Sequence, residues 1–166
     1  LANDHPAREV VRNLYRLSRL ASRPASSPTP TSELDMAEQW WRSADGERDN
    51  GHRERARLLR TLGELVLGGA FVMDVKGEPV APIDALIRSE TLRDLGNDRV
   101  TFHHDVLRQW AIGILLVEDD LAFEKLPLAA PASAVLARGV ELAGRFALAV
   151  GQNGDRWAAI LERLST

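Results

Sequence analysis

The stretch from residue 92 to residue 118 constrains the fold more than any other part of this sequence. Leu92 and Leu95 on one side, and Val100 and Phe102 on the other, flank the tripeptide Gly96-Asn97-Asp98. Glycine and asparagine tolerate positive φ, so this tripeptide favours a tight turn between two strands. Residues 105–118 then carry apolar side chains at helical spacing. The sequence therefore predicts a β-hairpin that leads directly into a helix.

The segments before this hairpin complete a recognisable order of elements. Residues 52–67 have the strongest helical pattern in the chain, and Gly68-Gly69 is expected to end that helix. Residues 71–75 are typical of a short strand, and residues 82–89 of a short helix. Helix, strand, helix, hairpin and helix follow one another as they do in a winged helix.

The two ends of the chain are predicted to be helical. Pro6 is placed to open a first helix over residues 7–22, and Ser32 is placed to cap a second after a Pro- and Ser-rich linker. Residues 132–150 and 154–164 are expected to form an antiparallel helix pair. We therefore predict a mainly α fold, in which N-terminal helices and a C-terminal antiparallel helix pair flank a winged-helix-like unit with a small β-hairpin.

This organisation divides the chain into a helical segment with its linker (1–50), a winged-helix-like domain (51–120) and a C-terminal helical pair (121–166). An apolar content of 45% is enough to bury a core. The absence of cysteine excludes disulfides and thiolate zinc sites, and no apolar run has the length of a membrane span. We expect a cytoplasmic piece of a longer protein, with no membrane contact.

The predicted first helix carries two stripes of opposite character. Its apolar stripe is expected to be buried and comprises Val10, Leu14, Leu17 and Ala21. Its basic stripe, a ridge of guanidinium groups, comprises Arg8, Arg12, Arg16, Arg19 and Arg23. This ridge is either a solvated face or a surface that binds an anionic partner, such as phosphate or an acidic neighbouring domain.

An adjacent pair of tryptophans marks the second predicted helix. Leu34, Ala37 and Trp41 share one side of that helix, which we expect to face the core. Trp40 must then point elsewhere, where it would cover an edge of the core or anchor an interface with a partner.

The residues His103-His104-Asp105 stand where the second strand of the hairpin meets the following helix. Strand alternation would send the two imidazoles in opposite directions. Asp105 is expected to cap the helix with its carboxylate. His104 either makes an ordinary structural hydrogen bond or donates to a bound phosphate.

The run from Val100 to Ala111 resembles the end of the winged-helix domain in STAND-type signalling ATPases, the NB-ARC- and NACHT-like switches of the AAA+ class. That family has an apolar strand, a residue that is often Met, His-Asp and then an amphipathic helix, and here His103 stands in the Met position. The resemblance implies that His104 contacts the β-phosphate of ADP in the closed state, with Asp105 as its neighbour. A weaker resemblance links residues 12–21 to the family's helical lid, with Leu14 in place of a proline.

The resemblance further implies a regulatory lid that senses the nucleotide state, with ADP or ATP bound only in the parent protein. Its partners would be an upstream P-loop ATPase domain and a downstream sensor domain of the same chain. No P-loop, nucleophile elbow, zinc-protease helix or dinucleotide motif occurs in these residues, so we expect no catalysis by this chain alone.

Three other functions fit parts of the sequence. A protein-interaction scaffold would need only the packing residues. A DNA-binding winged helix would need a positive face, yet residues 82–120 hold four arginines against eight acidic residues. A metal-dependent phosphohydrolase would use His104-Asp105 with His52 and Asp119 or Asp120, but such a doublet belongs on a helix rather than at the end of a strand.

Overall fold

The structure is a computed structural model that describes residues 13–21, 28–44, 46, 49–119, 121–127, 131–149, 155, 157, 158, 161 and 162. The helices are α1 (Leu14–Ala21), α2 (Glu33–Ser43), α3 (His52–Leu67), α4 (Val80–Arg88), α5 (Asp105–Glu118) and α6 (Ala134–Ala149), with a 3-10 helix at Ala122–Lys125. The strands are β1 (Met73–Asp74), β2 (Leu92–Gly96) and β3 (Arg99–Phe102). The predicted mainly α fold with a small β-hairpin is confirmed.

The hairpin forms at the residues that predicted it. Strand β3 lies between β1 and β2, and both pairings are antiparallel. Asn97 and Asp98 connect the hairpin with φ of 54° and 55°. Positive φ at both central residues is what a two-residue turn needs to match the twist of its strands. The predicted order of helix, strand, helix, hairpin and helix is therefore present from α3 to α5.

Helix α5 is the centre of the core and is buried on most of its surface. Helix α6 packs closely on it because glycines stand at the crossing. A Cβ built on Gly139 would lie only 2.5 Å from Cγ2 of Ile112, and one built on Gly113 would lie 3.0 Å from Cβ of Leu142. One hydrophobic core thus includes residues from before, within and after the winged-helix-like unit.

Helix α2 begins as predicted but turns a different face to the core. The hydroxyl of Ser32 accepts a hydrogen bond of 3.1 Å from the backbone N–H of Asp35, which confirms the cap. Trp40, however, is only 4% exposed, so it lies in the core and is not a surface residue that could anchor a partner. Trp41 is half-buried at the edge instead. The buried stripe is Glu33, Met36, Ala37 and Trp40, at spacings of three, four and seven residues.

Helix α1 is oriented opposite to the prediction. The apolar stripe faces outward, since Leu14 is 83% exposed, Leu17 is 40% exposed and Ala21 is exposed as well. Arg16 is buried. The helix therefore turns polar side chains toward the protein, where they find ion-pair and hydrogen-bond partners. It presents Leu14 and Leu17 to solvent.

Several predictions fall outside the part of the chain that the structure describes. These are the first helix before residue 13, with Val10, Arg8 and Arg12; Arg23 in the linker; and most of the helix predicted over residues 154–164. Among the described residues, no helix is both long enough and apolar enough to cross a membrane.

Candidate functional site

The turn at His103 and His104 is held in place by backbone hydrogen bonds on both sides. The N–H of His103 donates to the carbonyl of Thr91 over 2.9 Å, next to the fully buried Phe102 that ends β3. The carbonyl of His104 accepts from the N–H of Leu107 over 3.1 Å, in the first turn of α5. The fold therefore presents the two imidazoles from a fixed point where the sheet meets the central helix.

The two imidazoles stack on each other instead of pointing in opposite directions. Their ring centroids lie 4.6 Å apart at an interplanar angle of 20°. The prediction was wrong because β3 ends at Phe102, so both histidines lie beyond the strand, where alternation no longer applies. On its other side, the ring of His104 lies 4.0 Å from the ring of Tyr15 in α1. His104 thus fills the seam between α1 and the winged-helix-like unit, where it is half-buried.

The surroundings of His104 favour its neutral form. Burial is the main cause that lowers the pKa of His104, and the positive charge of a protonated His103 adds to it. Glu90 and Asp105 act in the opposite direction, while Arg108 lowers the pKa further. Near neutral pH the imidazole therefore carries one N–H donor and one acceptor nitrogen. A neutral imidazole of this kind can donate one hydrogen bond to a phosphate oxygen.

Asp105 acts on this turn through an arginine and not as a cap. The cap position belongs to His104, whose side chain makes no capping hydrogen bond, and Asp105 is the first residue of α5. The carboxylate of Asp105 pairs with Arg108 one turn later. Arg108 in turn donates to Thr101 Oγ1 over 3.0 Å and to the carbonyl of Phe102 over 3.2 Å. Asp105 therefore orients the arginine that ties α5 to β3.

Arg16 and Arg19, two members of the predicted basic ridge, make contacts within the chain. Arg16 forms an ion pair with Glu33, and Arg19 donates from Nη1 to the carbonyl of Ser89 over 2.9 Å. Ser89 precedes the loop that contains Glu90, so Arg19 holds α1 against the same side of the molecule as Tyr15 does. The anionic partner of Arg16 is thus a carboxylate of α2.

Glu33 is the centre of a charged cluster that the sequence analysis missed. Its carboxylate has no exposed surface. Trp110 Nε1 donates to Oε1 over 3.1 Å, Arg138 Nη2 lies 2.9 Å from Oε2, and Arg145 Nη1 lies 3.8 Å from Oε2. With Arg16, the cluster joins α1, α2, α5 and α6. The available signal was spacing, because Glu33 stands three residues before Met36 and seven before Trp40.

The surface that a winged helix would offer to DNA has no positive character here. Helix α4 exposes Asp84 and Arg88, and the exposed turn of the hairpin carries two arginines and two aspartates within residues 93–99. Phosphate backbones require an excess of cations. His52, which a metal-dependent phosphohydrolase would use as a ligand, instead contacts the backbone, since its Nε2 lies 2.9 Å from the carbonyl oxygen of Arg42. Within the described ranges, no three His, Cys, Asp or Glu residues are grouped to hold a metal.

The chain matches no protein-family model, and neither the curated proteins nor the solved structures include a match to it. The site is therefore defined by its own geometry.

Proposed function

We propose that this chain is the regulatory lid of a signalling nucleotide-switch ATPase of the STAND type, in which His104 donates to the β-phosphate of ADP in the closed state. The lid carries out no catalysis. An upstream P-loop domain of the same longer chain supplies the nucleotide, a downstream sensor domain supplies the signal, and the whole works in the cytoplasm.

The position of His104 in the seam is the observation that supports this proposal best. The imidazole is neither sealed in the apolar core nor fully solvated, and the backbone on both sides of it is fixed. A donor that must recognise a phosphate supplied by another domain has to be held rigidly and still be reachable. The resemblance also implies a strand pair before His104 and a helix after it, and the presence of β2, β3 and α5 supports the proposal.

A neutral donor suits a switch better than a permanent cation does. A ligand shifts an equilibrium between two conformations only by its difference in affinity for them. An arginine would attract phosphate from a distance in open and closed forms alike, whereas a neutral imidazole binds it only at hydrogen-bonding distance. The lowered pKa of His104 therefore concentrates the affinity for ADP in the closed state.

Nitrogen chemical shifts of the histidine rings provide the first test. The longer protein that contains this chain is freed of nucleotide and titrated with ADP and, separately, with inorganic pyrophosphate at neutral pH. The ring nitrogens of His104 are expected to shift with both ligands, because both present the same diphosphate oxygens. His52 lies outside the seam and is the internal control. Equal shifts at both histidines would mean non-specific binding of anions.

The second test uses the longer protein that contains this chain. His104→Ala is expected to reduce the ADP that copurifies and to raise basal signalling, while His52→Ala leaves both unchanged. Nucleotide retention that is the same in the His104→Ala variant and the wild type would exclude the proposed role of His104.

A protein-interaction scaffold is a second candidate, and the outward leucines of α1 favour it. Leu14 is 83% exposed and Leu17 is 40% exposed on one side of that helix. Exposed apolar surface of this kind is typical of contact with another protein. For a scaffold, Leu14→Asp and Leu17→Asp would abolish association with that protein and leave ADP retention unchanged. For a nucleotide lid, His104→Ala would reduce ADP retention more than either leucine substitution does.

A further inference from the structure

Helix α1 is attached to the rest of the molecule partly by polar contacts. Tyr15 lies against His104, Arg16 pairs with buried Glu33, and Arg19 donates to the carbonyl of Ser89. Leu20 adds a partly buried apolar contact. Polar contacts depend on charge state and geometry, in contrast to the burial of leucines, so this attachment can respond to a change in protonation.

We propose that the seam between α1 and the winged-helix-like unit is a proton-controlled latch, in which neutral His104 holds Tyr15 and protonation of His104 releases α1. This inference stands independently of nucleotide binding, because it concerns only residues of this chain.

The charges that face His104 explain why protonation of its ring is unfavourable in the docked form. Three of these groups, His103, Asp105 and Arg108, belong to the same segment as His104. The fourth, Glu90, lies in the loop that follows α4. Asp105 is already paired with Arg108, so its charge is largely compensated. Two protonated imidazoles with centroids 4.6 Å apart would repel each other in a half-buried site.

Helix α1 adds further positive charge to the same side. Arg16 and Arg19 stand on this helix with Tyr15, and Arg16 already has Glu33 as its counter-charge. The phenol ring of Tyr15 covers one face of the imidazole at 4.0 Å and attracts a cation only weakly. The helix itself, Leu14–Ala21, contains no acidic residue. Docking of α1 therefore desolvates His104 and brings no carboxylate to compensate the charge that the ring would gain.

The direction of the pH effect follows from linkage. Burial lowers the pKa of His104 below its ordinary value of 6.5 in the docked form, and release returns the ring to water. The contribution of neutral His104 to the stability of the docked form is therefore complete above pH 6.5. This contribution is lost as the pH falls through the lowered pKa. Each unit that separates the two pKa values changes the docking equilibrium tenfold at acid pH.

Distances between two spin labels test this latch directly. The chain has no cysteine, so Leu14→Cys and Arg88→Cys, both at exposed positions, provide a unique pair of attachment sites. At pH 8 we expect one short, narrow distance between α1 and α4. At pH 5 we expect a second, longer and broader population. One unchanged distance at both pH values would overturn the proposal.

Two variants separate the latch from general acid sensitivity. His104→Phe keeps an aromatic partner for Tyr15 but cannot bind a proton, so its distance is expected to stay short at pH 5. His52→Gln is the matched control and should behave as the wild type does. Release of α1 at acid pH in the His104→Phe variant would also overturn the proposal.

A measurement on the same ring covers the case in which His104→Phe disturbs the fold. Tyr15→Ala removes the cover from the imidazole, so the pKa of His104 is expected to rise toward 6.5, as followed by its ring protons in NMR. An unchanged pKa would mean that α1 does not control this ring. None of these experiments contains nucleotide, so failure of the latch and failure of the ADP contact can be distinguished.

Discussion

The indole Nε1 of Trp110 donates a hydrogen bond of 3.1 Å to Oε1 of Glu33, a carboxylate that is completely buried. The same carboxylate faces Arg16, which is only 8% exposed, and Arg138. A charge that is removed from water must be compensated by partners nearby. This cluster therefore ties α2, α5 and α6 together and gives Arg16 a partner when α1 is docked. Arg138 and Arg145 of α6 still face the carboxylate when α1 moves away.

Removal of the negative charge at this point should be strongly destabilising. Glu33→Gln leaves the arginines without the charge that they face in the interior, and loss of one partner from a buried ion pair costs about 3–5 kcal/mol. Denaturant unfolding at pH 7 measures this loss. Glu38→Gln is the matched control, because Glu38 is 47% exposed and pairs with Arg42 on the surface. That change should cost less than about 1 kcal/mol. Equal losses would mean that burial of Glu33 does not matter.

The close crossing of α5 and α6 predicts that Gly139→Ala is destabilising. The added Cβ would meet Cγ2 of Ile112 at 2.5 Å and its Cβ at 2.6 Å, so the helices must separate. Overpacking of this kind costs about 1–3 kcal/mol and outweighs the better helix propensity of alanine. Thermal unfolding should show a lower Tm. Gly68→Ala has its nearest contact at 3.6 Å and is expected to change stability little.

The hairpin turn predicts a substitution that stabilises the fold. Asp98 has φ of 55°, which costs a residue with a Cβ more than it costs glycine. Asp98→Gly should raise the free energy of unfolding by up to about 1 kcal/mol, because Asn-Gly is the preferred pair in this turn. Asp94→Gly makes the same chemical change within β2, where it removes the acceptor for Gly96 N–H, and should destabilise. Stabilisation by both changes would contradict this argument.

The start of α2 predicts a pH dependence. The hydroxyl of Thr31 donates to Oδ2 of Asp35 over 2.6 Å, and this hydrogen bond is the main cause that lowers the pKa of Asp35 below 3.8. The stabilisation is present above pH 3.8 and disappears as the pH falls through the lowered pKa. Thr31→Val should raise the pKa of Asp35, as read from its carboxyl carbon in NMR. The exposed Thr61 of α3 provides the control substitution Thr61→Val, and a pKa that is the same in both variants would refute the assignment.

Local chemistry in the sequence was sufficient to predict several helices and the hairpin. Ser32 and its hydroxyl define where α2 begins, Gly68-Gly69 ends α3, and Asn97 with Asp98 places the hairpin turn. In each case the deciding interaction lies within a few residues of the one that predicts it. The order of elements in the winged-helix-like unit follows from such local signals.

The candidate site depended on contacts that the sequence could not reveal. His104 was singled out by its place after the hairpin, but its contact with Tyr15 joins residues that are far apart in the chain. Asp105 was expected to cap α5, yet the strand ends early enough for His104 to take that position. The proposed nucleotide contact was suggested by the residues around His104, whereas the seam in which His104 lies is a property of the packing.

The amino-acid sequence by itself determined which helices, strands and turns form and, at the start of α2, the end of α3 and the hairpin turn, where they lie, because caps and backbone conformations are short-range properties. Only the tertiary structure decided which faces are inside: Glu33 and Trp40 are buried, while Leu14 and Leu17 are exposed. Helical periodicity shows which side chains share a face. Whether that face is buried depends on the free energy of contacts with distant partners, such as the arginines that make the interior tolerable for Glu33.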